Sequence, residues 1–108
     1  MKQYEIWRAR LPAGERPVLL ISRDDAYTYL EKFLVVEITT RVRGIPVEVL
    51  LGRHEGLDQR CVANCDNLRT VARSWLLRRM GAVSAARVVE IKRALGFALR
   101  WTELINAQ

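Results

Sequence analysis

The order of apolar and polar positions divides the chain into short extended segments followed by one helix. Residues 3–11 (QYEIWRARL) alternate loosely, and Pro12-Ala13-Gly14 is a turn signal, so a strand and a loop are predicted. Residues 16–22 (RPVLLIS) form a continuous branched apolar run behind a proline, the pattern of a buried strand. The polar stretch DDAYTYLEK from Asp24 holds a turn or a short helix. Residues 33–40 (FLVVEITT) make the clearest strand. Strict alternation there puts Leu34, Val36, Ile38 and Thr40 on a core face and Phe33, Val35, Glu37 and Thr39 toward solvent. Arg43-Gly44-Ile45-Pro46 then breaks the chain before VEVLL at 47–51, and residues 52–60 read as a polar loop.

Residues 61–71 read either as one bent strand or as two short ones with a bulge at Asp66-Asn67. ARSWLL suits a short helix and RRMGAV a last strand. Ser84 stands where a helix N-cap belongs, and Val88, Ile91, Leu95, Ala98 and Leu99 follow at helical spacing over about seventeen residues. Five to seven short strands and a terminal amphipathic helix describe a small α+β fold, mainly β, built on a strongly bent sheet or barrel. At 108 residues the chain is expected to be a single domain.

Composition narrows the functional classes. Half of the residues are hydrophobic and 28% charged, an ordinary globular balance that excludes long-range disorder. The longest aliphatic runs are four residues, against the roughly 20 of a bilayer span, and no apolar leader follows Met1, so a soluble, cytoplasmic protein without a membrane partner is expected. The net charge is +6, and fifteen of the eighteen basic residues are arginine, the side chain that forks onto phosphate. Residues 69–93 hold seven of these cations against Glu90 alone. That distribution fits a polyanionic partner, nucleic acid before membrane, and equally a plain solvated surface.

The usual catalytic constellations are missing from the sequence. There is no phosphate-binding glycine loop of the GxxxxGK[ST] kind, and His54, the single histidine, has no partner motif for a nucleophilic triad. Cys61 and Cys65 are four residues apart on an extended stretch, about 13 Å, too far for a disulfide, and are read as small buried hydrophobes. Neither a metal nor another cofactor is expected.

Four segments together resemble a known family. GERPVLLIS at 14–22 resembles the Arg-Pro-Val-Leu-Val strand of the MazF/PemK-like toxins of type II toxin–antitoxin systems, and FLVVEITT resembles their apolar strand ending Ile-Thr. DNLRTV at 66–71 resembles the family's Asp/Glu-Gln-Ile-Arg-Thr segment, with Asn67 in the place of Gln, and ARSWLLRRMGAVS with the helix beyond it keeps the family spacing. The resemblance implies an SH3-like barrel of the CcdB/PemK type, a homodimer, an acidic MazE-like antitoxin laid over a basic groove, and a metal-independent, sequence-specific endoribonuclease that cleaves single-stranded RNA. The family's catalytic pair falls on Arg16, cast as the cation that stabilises the phosphorane, and Thr39, cast as the donor that holds the scissile phosphate. Glu15, Asn67, Arg69, Arg73 and Arg79 are the further candidates for RNA contact. Glu15 either serves as an acid or base or pairs with the adjacent Arg16. The loop between the first two strands departs from the family pattern, being cut to Pro12-Ala13-Gly14-Glu15. A second reading keeps the same barrel without chemistry, as a CcdB-like gyrase inhibitor or a degenerate binding module. The chain's ending, WTELINAQ, differs from the aromatic and glycine ending of CcdB-like chains.

Overall fold

Each of the apolar runs becomes a strand, and every neighbouring pair in the sheet is antiparallel. The computed structural model describes residues 1–107. The strands are β1 (Glu5–Leu11), β2 (Gly14–Leu20), β3 (Lys32–Thr39), β4 (Glu48–Leu51), β5 (Cys61–Ala72) and β6 (Leu76–Ala82). They lie in the order β4-β5-β3-β2-β1-β6, a strongly bent half-barrel with β4 and β6 at its two edges. Three helices complete the order: α1 (Ala26–Tyr29), α2 (Ala85–Leu99) and α3 (Thr102–Ile105). Among the described residues no helix is long and apolar enough to cross a membrane.

Ser84 caps α2 as its position predicts, its Oγ accepting the Arg87 amide at 3.4 Å. The helix stops at Leu99 because Arg100 takes the left-handed conformation, φ 52°, and the chain re-enters a helical turn at Thr102. ARSWLL contributes only a 3-10 turn at Arg73–Trp75. The 61–71 segment is one bent strand. Val36 on β3 pairs with Leu68 but Ile38 pairs with Ala63, so two steps on β3 face five on β5, and the extra residues bulge out around Asn64–Asn67.

The alternation reading of β3 needs correction. Phe33 and Val35, expected in solvent, are buried, while Leu34 and Thr40, expected in the core, are exposed. The bend gives β3 a core on each face. Val36 and Ile38 pack with Ile6, Leu19 and Ile91 of one cluster; Phe33 and Val35 pack with Val18, Leu20 and Val71 of another. A half-buried-sheet pattern presumes one apolar face, and this strand has two, each covering only part of its length. Thr40 lies one residue past the strand end, where alternation no longer applies.

Candidate phosphate-binding site

Arg16 and Thr39 line the same two hollows, and they lie two residues beyond the last β2–β3 pair on their strands. The β2–β3 ladder pairs Val18 with Glu37, and stepping it outward by two residues on each strand sets Arg16 opposite Thr39. Residues directly opposite in an antiparallel pair have Cβ atoms about 5 Å apart and share a face. Pro17 ends the ladder between them, since it has no amide to donate. On that face Val18, Leu20, Phe33 and Val35 form the core, and Arg16, Glu37 and Thr39 continue it outward into solvent. Thr39 is thus the threonine turned toward the open side, and Thr40 is exposed beyond it.

Two hollows meet at this pair. One, of about 350 Å³, is walled by Arg8, Arg16, Thr39, Leu57, Asp58 and Gln59. The other, of about 250 Å³, is walled by Arg16, Thr39, Arg41, Arg43, Asn64 and Asn67, with Glu37 beside them. Arg16 donates through Nη1 to the Glu15 carbonyl at 3.0 Å and makes no ion pair among the described residues, so most of its guanidinium fork is unengaged. The Glu15 carboxylate pairs with Arg8 Nε at 2.9 Å, so of the two roles open to it, pairing with Arg16 is not the one adopted. Thr39 Oγ1 accepts the Arg41 amide at 3.2 Å, which leaves the hydroxyl proton free to donate. An unpaired arginine, a hydroxyl donor and two further arginines bordering one hollow have the chemistry to hold a phosphodiester.

Of the other candidates, Asn67 is brought to the site by the β5 bulge. Arg69 lies one step away. Its Nη1 is 3.5 Å from Glu37 Oε2 and its guanidinium sits 5.8 Å over the Trp75 ring, so it reaches the hollow only through Glu37. Arg73 is tied into the fold, donating to the carbonyls of Tyr27 at 2.6 Å and Leu30 at 2.8 Å while stacking 5.0 Å from the Phe33 ring. Arg79 pairs with Glu5 at 2.9 Å on the β1–β6 side. Arg41 and Arg43 border the site, and the sequence reading did not select them. The signal was their place two and four residues after Thr39, where the chain leaves β3 but remains beside its end.

The loop that carries these two arginines is held by Glu48. Its Oε1 accepts the Arg43 and Gly44 amides at 2.9 and 2.8 Å, and Arg43 Nε lies 3.7 Å from Oε2. Burial alone would raise the carboxyl, but those amides and the Arg43 charge bring it below its ordinary value. Cys61 and Cys65 are both buried and unpaired, and burial pushes their thiols up, Cys65 to about 12, with Glu55 and Asp66 respectively adding repulsion. His54 is exposed in the 3-10 turn at Arg53–Glu55. Among the described residues no cluster of three His, Cys, Asp or Glu side chains is placed to hold a metal ion.

Comparison with known proteins agrees with this architecture. A probable endoribonuclease MazF2 of Mycobacterium tuberculosis is 36% identical over 91 residues, covering 83% of this chain and 89% of that protein. The solved structure of the Mycobacterium tuberculosis toxin MazF-mt6 superposes with a TM-score of 0.85 at 34% identity, covering 89% of this chain and 96% of the other. An endoribonuclease from a mycobacterial species, solved in complex with its cognate antitoxin, superposes with a TM-score of 0.84 at 28% identity, covering 94% and 96%. The profile of the PemK-like, MazF-like toxins of type II toxin–antitoxin systems matches residues 2–99, and the chain belongs to that family.

Proposed function

We propose that this chain is the toxin of a type II toxin–antitoxin system and acts in the cytoplasm as a sequence-specific endoribonuclease on single-stranded RNA. The observation that carries the reading is that Arg16, without an ion pair among the described residues, and Thr39 together line both hollows. Its relatives named as endoribonucleases point the same way, against a non-enzymatic toxin on the same barrel. The RNA backbone lies across that junction with the scissile phosphate on Arg16 and Thr39. The ribose 2′-hydroxyl gives up its proton to water as its oxygen bonds to phosphorus, the bond to the 5′-oxygen breaks and that oxygen takes a proton from water, and the products are a 2′,3′-cyclic phosphate and a 5′-hydroxyl. Arginine keeps its proton at any working pH, so Arg16 serves as fixed positive charge for the extra negative charge of the phosphorane. The Thr39 hydroxyl donates to a phosphate oxygen and keeps the group in line with the attacking oxygen. Arg41, Arg43 and Asn67 hold the neighbouring backbone.

In this mechanism the positive charge comes from arginine, and no step calls on a divalent ion. The test is to incubate purified protein with a defined single-stranded RNA in EDTA and map the ends. Cleavage with 5′-hydroxyl ends is expected, and an absolute requirement for a divalent metal would overturn the mechanism. The protein is further proposed to work as a homodimer regulated by an acidic antitoxin segment. Leu50, Phe97, Leu99 and Trp101 are exposed apolar side chains that offer surface for such partners.

A further inference from the structure

The two hollows share Arg16, Ile38 and Thr39, so a phosphate held there has one flanking nucleoside directed to each side. They differ in chemistry. The smaller is dominated by Arg41, Arg43 and the asparagines, and suits sugar and phosphate. The larger is lined by apolar Pro17, Ile38, Leu57 and Met80 together with polar Asp58 and Gln59, and Arg8, which is paired with Glu15, also borders it; that mixture suits a base, with apolar surface for the ring face and hydrogen-bonding groups for its edge.

Resting on the ribonuclease reading above, we propose that this larger hollow reads the base beside the scissile phosphate, and that Asp58, with Gln59, selects guanine. Neither side chain makes a hydrogen bond or ion pair with the described residues, and both are exposed. A carboxylate beside a phosphate site disfavours a base edge that presents acceptors and favours one rich in donors. Carboxylate oxygens accept and never donate. Guanine presents two adjacent donors, N1–H and N2–H, on its exposed edge. Adenine and cytosine present a donor beside an acceptor, and uracil a donor between two acceptors. The Gln59 amide is able to donate to guanine O6.

The turn that leads into these two residues is anchored to β6. Gly56, at φ 90°, packs its backbone against β6 so closely that a Cβ there would sit 2.2 Å from the Met80 carbonyl oxygen, and one on Gly81 would meet the Glu55 carbonyl oxygen at 2.1 Å. Leu57 is buried, its amide bonded to the Gly52 carbonyl, and Glu55 Oε1 accepts the Gly52 amide at 2.7 Å. Asp58 and Gln59 directly follow this anchored turn, which fixes where the chain carrying them starts and lowers the backbone ordering cost of the contact.

The experiment is cleavage of a randomised single-stranded RNA pool by the wild type and by Asp58→Asn, with every new end mapped. In the wild type, guanine is expected to be enriched roughly tenfold at one fixed position next to the cut, the discrimination of a good bidentate contact. In Asp58→Asn the ratio of guanine-flanked to other cuts falls by about that factor. In a short substrate, replacing that guanine by inosine, which lacks the N2 donor, slows the wild type and has little effect on the variant. An unchanged base preference in Asp58→Asn, or an equal slowing at every site, overturns the assignment while leaving the ribonuclease reading intact. A wild type that cuts no RNA overturns both. A matching melting temperature shows that the variant is folded.

Discussion

Thr39 closes β3 half-buried between two hollows, with its oxygen already accepting an amide and its proton uncommitted. Thr39→Ala removes one donor to the transition state, so cleavage should fall tenfold to a thousandfold, on the order expected for one such donor, while stability moves by less than about 1 kcal/mol. Thr40→Ala should shift the melting temperature little, because Thr40 is exposed and outside both core clusters. Rates and thermal melts of both variants check the assignment, and a fully active Thr39→Ala would contradict it. The thiols make a second residue-scale prediction. With both buried and their ionisation pushed upward, a disulfide reagent at pH 8 should label neither in the native protein and both after unfolding, read by the thiol count with and without denaturant. Rapid native labelling would contradict the buried placement.

At the scale of elements, the site is held by the loops that leave β3 and enter β5. Glu48 orders the first through two amide bonds, and its carboxyl lies below the ordinary 4.5 in the folded protein. A lowered folded value means that this stabilisation is complete above the unfolded value and is lost as pH falls through the folded one. Stability should therefore decline as pH drops below about 4.5, and Glu48→Gln should flatten that part of the profile, as measured by urea melts from pH 7 to pH 3. Glu5 contributes in the same direction. Burial raises it, but hydrogen bonds from Trp7, Arg79 and the Lys2 amide bring it below its ordinary value. Arg73 is the corresponding tie between α1 and the sheet. Arg73→Ala breaks two charged hydrogen bonds to backbone carbonyls and should cost about 1–3 kcal/mol of stability, seen as an earlier denaturant midpoint.

For the whole molecule, the arrangement of charge decides which arginines meet RNA. Binding to a single strand loses about 0.7 in log affinity per log unit of salt for each phosphate neutralised. Replacing Arg41, whose side chain borders the site without an ion pair among the described residues, should reduce that slope by about this amount. Replacing Arg79, already paired with Glu5 at the far edge strand, should leave the slope unchanged. Titrations of an uncleavable RNA at several salt concentrations separate the two. If an acidic antitoxin segment occupies the same junction, it competes with that RNA, and simultaneous binding of both would count against one shared groove.

Much of this was legible along the chain because it depends on neighbours in sequence. The apolar runs became strands, Ser84 became a cap, and the four motifs carried the family, while the 61–71 segment, open in sequence between one bent strand and two short ones, is one strand. Local hydrogen bonding and side-chain period set such features before any distant contact forms. The two faces of β3 were not legible. Phe33 and Leu34 are both large and apolar, and only the bend of the sheet, which gives each end of the strand a different core, buries one and exposes the other. The same holds for the cations. Fifteen arginines look alike in sequence, yet Arg73 is used by backbone carbonyls, Arg79 by Glu5 and Arg69 by Glu37, while Arg16 is left free where β2 and β3 run out of ladder. Whether a charge is neutralised depends on partners tens of residues away, and that pairing exists only once the strands have assembled into the sheet.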